Sequence, residues 1–172
     1  MAQQVVSSAF PLPTFVVCDD GEVGAWAVAH GAKVLHEPGR GLNGAVGAGV
    51  EQLRERGFDR VVIAHSDLPL AVDLSWIADY DGVTIVPDRA ARGTNVISIP
   101  ILPFVTAGAR LMDDAQFVFS YGPSSFARHV QESRRLGYSV RVIPNYRLSA
   151  DVDFPGDLQT ARAARAWPIV RA

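Results

Sequence analysis

Residues 60–64, Arg-Val-Val-Ile-Ala, form a short apolar run between Gly57 and the polar stretch His65-Ser66-Asp67. A run of this length, rich in β-branched residues, suits a strand buried on both faces at the centre of a sheet. Other strand-like runs lie at 14–18, 32–36, 83–86, 95–99 and 139–143, with 116–120 as a further candidate. Helical patterns separate them. Residues 22–30 place Val23, Trp26 and Ala27 on one face, and 43–56 are followed by Gly57, placed to end a helix. Residues 123–136 begin with Pro123 and are followed by Gly137, the usual asymmetry of helix ends. Residues 71–78 read as a weak helix and 155–166 as a final one. Alternating strands and helices define an α/β fold: three layers, a mainly parallel sheet and helices on both faces. Residues 1–172 read as a single domain, without repeat or linker. Residues 1–10 look like the tail of a helix, since no cap residue precedes the pattern.

Composition excludes several classes. A hydrophobic fraction of 48% against 20% charged is that of a globular chain with a real core, not of a disordered tail. One cysteine, Cys18, permits no internal disulfide, and the four histidines have no zinc-ligand spacing. A net charge of −2 advertises no nucleic-acid face. The apolar runs are too short to span a bilayer, and no leader pattern stands at the start, so the expected compartment is the cytoplasm. Lys33 is the only lysine among 16 basic residues, so a phosphate-gripping lysine is not expected.

Ligands of open α/β sheets sit outside the carboxyl ends of the strands. Asp67 directly follows the central run, where a carboxylate would hold Mg²⁺ or cap the next helix. Asp151 and Asp153 fall on one side of an extended segment, and two such carboxylates repel unless a cation or proton lies between them. The alternative is a capping turn before Pro155, with Asp157 in the first helical turn. Tyr121-Gly122-Pro123-Ser124-Ser125 enters a helix with free N–H groups and hydroxyls, an anion site or a plain serine cap. Arg128 and His129 lie in the next turn and read as surface or packing residues. Thr94 and Asn95 would contact a small polar substrate or simply open a strand. Gly41 and Asn43 lie in a glycine-rich approach to a helix, with Asn43 suited to its N-cap.

Taken in order, Gly-Leu-Asn (41–43), Ser-Asp-Leu-Pro (66–69), Pro-Asp-Arg (87–89), Gly-Thr-Asn (93–95), Tyr-Gly-Pro-Ser-Ser-Phe-Ala-Arg-His (121–129) and Asp-Val-Asp-Phe-Pro-Gly-Asp-Leu (151–158) resemble the 2-phospho-L-lactate guanylyltransferases, including members that use phosphoenolpyruvate. The resemblance runs from about residue 5 to 166. It implies a nucleotidyltransferase architecture, GT-A-like and Rossmann-like. It also implies Mg²⁺-dependent transfer of guanylate from GTP to a small phospho-acid, with release of pyrophosphate, in coenzyme F-420 biosynthesis. By resemblance Asp67 and Asp153 are catalytic metal ligands, with Asp151 a further one. Thr94, Gly122 and Ser125 hold the phospho-acid, and Gly41 and Asn43 lie near the guanosine. Members of that family begin with a strand and a basic loop that grips the triphosphate, and this sequence does not show them. The sheet is then expected to lose an internal strand, exposing apolar surface and unpaired edges. A longer natural chain, a degenerate relative or a second chain, as in a homodimer, would each account for this. The competing functions are a non-catalytic phospho-acid binder and a nucleotidyltransferase for another substrate, such as molybdopterin or a sugar phosphate.

Overall fold

A computed structural model describes residues 1–101, 116–152, 156, 157 and 159. The chain begins with α1 (Ala2–Ser8), β1 (Phe15–Cys18), α2 (Gly21–Ala29), β2 (Lys33–His36), α3 (Gly41–Glu55) and β3 (Arg60–Ala64). β4 (Val83–Pro87), β5 (Thr94–Pro100), α4 (Ser125–Arg135) and β6 (Val140–Val142) follow. Local chemistry sets the ends. The Asp20 carboxylate accepts from the Glu22 and Val23 amides and starts α2. Gly57, at φ +84°, and Gly137, at φ +77°, take the left-handed turn that closes α3 and α4.

β1 and β2 pair in parallel as a two-stranded sheet. The other four strands form a sheet of order β3-β5-β4-β6. Within it β3, β4 and β6 run one way and β5 runs against both its neighbours. The reversal has a simple cause. Only six residues, Asp88 to Gly93, join β4 to β5, and a parallel return needs a crossover of a dozen or more. Asp88 closes this hairpin by accepting from the Arg92 and Gly93 amides. Gly93 cannot be replaced freely, because a Cβ there would lie 2.9 Å from Asp88 Oδ2.

Side-chain alternation along the strands builds two cores. Val61, Val83, Ile85, Ile97 and Ile99 pack towards α3 and α4. Val86 and Val96, with Val62 and Ala64, pack the other way against α1, Leu68 and Ile77. The layers are therefore helix, sheet, helix, as the alternating pattern predicts.

Three expectations need correction or fall outside the described residues. Residues 71–78 yield only a 3-10 turn, Ser75–Ala78, because Asp73 turns back to accept from Ser75 N–H and Leu74 N–H donates to Ser8. Residues 116–120 join no ladder among the described residues. Their inward residues Phe117 and Phe119 fill the α4 core, while side chains take their amides. Apart from residues 156, 157 and 159, the expected helix at 155–166 lies outside the described residues.

Between the two sheets lies a cavity of about 1200 Å³. Val16 and Val17 of β1 line one side of it and Val61 and Ile63 of β3 the other, with α1 and α3 contributing Val5, Val46 and Val50. Among the described residues β1 pairs only with β2 and β3 only with β5, so each presents an unpaired edge.

Candidate active site

The phospho-acid candidates assemble around one turn. Thr94 opens β5, and its amide donates to Ser125 Oγ at 3.0 Å. The Ser125 and Phe126 amides donate to the carbonyls of Gly122 and Arg92. These bonds consume part of the expected anion site: the free amides at the start of α4 are fewer than the sequence predicts. Gly122, Ser124 and Ala127 keep amides with no partner among the described residues. Gly122 sits at φ +112° and Ser124 at +60°, so the backbone curls sharply at this exposed turn. Thr94 and Ser125 are buried, at 1% and 2% exposure, whereas Gly122, Pro123 and Ser124 are exposed.

His129, fully buried on α4, lies behind this turn. Its Nε2 accepts from Ser120 N–H at 3.0 Å, and its Nδ1 lies 3.0 Å from Thr94 Oγ1. A backbone N–H can only donate, so Nε2 is unprotonated and Nδ1 carries the hydrogen. Burial, reinforced by the nearby Arg128 and His65 charges, pushes the His129 pKa down to about 4. The imidazole is therefore neutral at physiological pH. Sequence reasoning treated His129 as a packing or surface residue. Its four-residue spacing from Ser125, on one helix face, was the available signal.

Asn43 is not an N-cap. α3 begins at Gly41, itself exposed and at φ +61°, so Asn43 lies in its first turn. The Asn43 amide spans to Tyr121, accepting from its N–H at 2.6 Å and donating to its carbonyl at 3.3 Å.

The carboxylate side begins at the end of β3. His65 N–H donates to the Asn95 carbonyl, and Asn95 Nδ2 donates to the Leu148 carbonyl. Asn95, 2% exposed, thus ties the segment bearing Asp67 to the one leading into Asp151. The sequence marks Asn95 as a candidate substrate contact or strand opener, and its side chain is here spent on the Leu148 carbonyl. Asp151 is half-buried. Asp153 lies outside the described residues. Among the described residues no group of three or more His, Cys, Asp or Glu side chains could hold a metal ion.

Three buried polar atoms at the cavity wall have no partner among the described residues: His65 Nε2, Asp67 Oδ1 and Tyr121 Oη. The His65 and Tyr121 rings lie 5.1 Å apart. Burial raises the Tyr121 pKa, so the phenol keeps its proton and can donate. Unsatisfied buried polar atoms are costly, and these three line one cavity. A hard cation fits the carboxylate oxygen among them.

The fold is that of a nucleotidyltransferase-like α/β protein. The family described as Guanylyl transferase CofC like matches residues 1–161, and the chain belongs to that family. It is 32% identical to a phosphoenolpyruvate guanylyltransferase of Sphaerobacter thermophilus over 84% of this chain and 66% of that protein. It is also 32% identical to the one of Rubrobacter xylanophilus, over 87% of this chain and 70% of that protein. A 2-phospho-L-lactate guanylyltransferase of Methanothermobacter thermautotrophicus is 32% identical over 83% of this chain and 60% of that protein. The chain spans about two thirds of the length of these curated relatives. A crystal structure described as that of a nucleotide-diphospho-sugar transferase from Desulfovibrio desulfuricans superposes with a TM-score of 0.64. That superposition covers 96% of this chain and 75% of that one at 17% identity, a likeness of fold. No helix among the described residues is long and apolar enough to cross a membrane.

Proposed function

We propose that the chain serves Mg²⁺-dependent guanylyl transfer from GTP to a small phospho-acid, phosphoenolpyruvate or 2-phospho-L-lactate, in the cytoplasmic synthesis of coenzyme F-420. A phosphate oxygen of the acid attacks the α-phosphorus of GTP, the bond to the β-phosphate oxygen breaks, and pyrophosphate leaves. The observation that carries this reading is that the residue leading into the acid turn and the carboxylate line one cavity. Thr94 and Ser125 support the exposed Gly122–Ser124 turn, the Tyr121 ring before it lies against His65, and the unpartnered carboxylate oxygen of Asp67 lines the same cavity as both rings. A dianionic acid phosphate suits such amides, and Asp67, with Asp151 and Asp153, is the donor set for Mg²⁺. When bound, Mg²⁺ would supply charge neutralisation on the phosphate oxygens. The protein's own share is positioning: the amides of Gly122 and Ser124 hold the acid, with Thr94 and Ser125 as the floor beneath. The Gly41 end of α3 borders the nucleotide. Asn43 belongs to the acid turn, since its amide is spent on Tyr121.

Calorimetry tests this. The purified chain is titrated with GTP, phosphoenolpyruvate and phospholactate, each with Mg²⁺, and pyrophosphate release is followed. Binding of nucleotide and acid with turnover is expected. One observation favours a second reading, acid binding alone. The acid turn is braced wholly by α3, α4 and β5, whereas β1 and β3 border the cavity with unpaired edges. Acid binding without GTP binding would establish that reading instead.

A further inference from the structure

All four backbone polar atoms of Ser120 and Tyr121 are held by side chains. His129 Nε2 takes Ser120 N–H, Arg128 donates to the Ser120 carbonyl at 2.8 Å, and Asn43 takes both the N–H and the carbonyl of Tyr121. Backbone polar atoms outside helices and ladders need other partners, and this segment joins no ladder among the described residues. The residues that substitute for the strand come from two helices, α3 and α4. What they fix is the direction in which Gly122 and Ser124 emerge, one and three residues later.

We propose that Asn43 and His129 are positioning residues for phospho-acid binding, acting through Ser120 and Tyr121 to hold the Gly122–Ser124 amides open without touching substrate. The proposal rests on the guanylyl-transfer reading for the identity of the acid. It differs from a nucleotide role for Asn43, and it gives His129 a defined tautomer: acceptor at Nε2 towards Ser120, donor at Nδ1 towards Thr94.

Nitrogen-15 NMR on the full chain tests it without requiring turnover. Phosphoenolpyruvate is titrated into wild type, Asn43→Ala, His129→Leu and His129→Gln, and the Gly122 and Ser124 amides are followed. In wild type both amides shift, and the His129 ring shows an unprotonated Nε2. Removing the two Tyr121 hydrogen bonds in Asn43→Ala, or the Ser120 hydrogen bond in His129→Leu, weakens acid binding about tenfold or more. The glutamine carbonyl supplies an acceptor for Ser120 N–H, so His129→Gln recovers most of the affinity. GTP affinity is unchanged in all three variants. A protonated Nε2, absence of shifts at Gly122 and Ser124, wild-type acid affinity in His129→Leu or Asn43→Ala, or an equal loss of GTP affinity would each overturn the proposal. Should His129→Leu fail to fold, Asn43→Ala and His129→Gln still decide it. Acid binding as described but no pyrophosphate release with GTP and Mg²⁺ would leave the positioning role standing and refute guanylyl transfer.

Discussion

His129 gives the fold a pH dependence of predictable sign. Its pKa falls from the ordinary 6.5 to about 4 on folding, chiefly because burial disfavours the charged ring. The unfolded chain therefore binds a proton more readily than the folded one between these values. The stability that depends on a neutral His129 is complete above about pH 6.5 and drains away as pH falls towards 4. The full difference in proton affinity corresponds to about 3 kcal/mol. Between pH 7.5 and pH 5 about 2 kcal/mol of it is lost, because at pH 5 the unfolded imidazole is almost fully protonated and the folded one barely so. Carboxylates titrate in the same range, so the test is a difference of differences. Urea unfolding is measured at both pH values for wild type and for His129→Gln, which lacks the titrating group but keeps an acceptor for Ser120. Wild type should lose about 2 kcal/mol more than the variant over this interval. Equal losses would show that the folded ring accepts protons as freely as the unfolded one, and the tautomer assignment would fail with it.

Three further outcomes follow from the geometry. Asp67→Asn should abolish transfer, measured as pyrophosphate release, while thermal unfolding stays near wild type, because Asp67 Oδ1 makes no hydrogen bond within the described fold. Ser125→Ala leaves the buried Thr94 N–H without its acceptor, so stability should drop by about 1–3 kcal/mol and phospho-acid KM should rise more than GTP KM; a larger rise for GTP would mean the two half-sites are assigned backwards. Gly82→Ala would set a Cβ 2.2 Å from the Ser139 carbonyl oxygen, where β4 meets β6, and should cost about 3 kcal/mol or more by chemical denaturation.

The strands and main helices were legible because each carried its own local signal. Arg60–Ala64 is apolar throughout, Gly57 and Gly137 punctuate helix ends, and the observed bounds differ from the patterns by a residue or two. Residues 116–120 misled for a physical reason. Phe117 and Phe119 alternate as strand residues do, since they face a core, but alternation records burial and not hydrogen bonding. The partners of the Val118, Ser120 and Tyr121 amides are Glu132, His129 and Asn43, which no local pattern reveals. The direction of β5 was readable from its six-residue connection to β4, and the mainly parallel expectation passed over it. Of the site, the loops themselves were legible and their inner connections were not. Nothing in the spacing of Asn95 and Leu148, or of Asn43 and Tyr121, announces that they meet.

Burial divides the site residues in a way that side-chain chemistry alone does not. Thr94, Gly122 and Ser125 were grouped by the sequence as substrate contacts, yet only Gly122 is exposed. Thr94 receives the His129 hydrogen at its hydroxyl, and Ser125 receives the Thr94 amide at its own. Both hydroxyls therefore brace the interior, and under the proposed function contact with an anion would fall to the backbone of the turn above them. That division suits a small, highly charged ligand. Amides fixed by a rigid support need no reorganisation when the anion arrives, whereas mobile hydroxyls would have to be ordered first. It also explains why two polar side chains, Asn43 and His129, are spent on backbone atoms in place of a sheet neighbour. A single neighbouring strand would reach only alternate residues of the segment, so it could not hold the amides of both Ser120 and Tyr121. Side chains satisfy Ser120 and Tyr121 from two helices, and the next amide, that of Gly122, has no partner among the described residues.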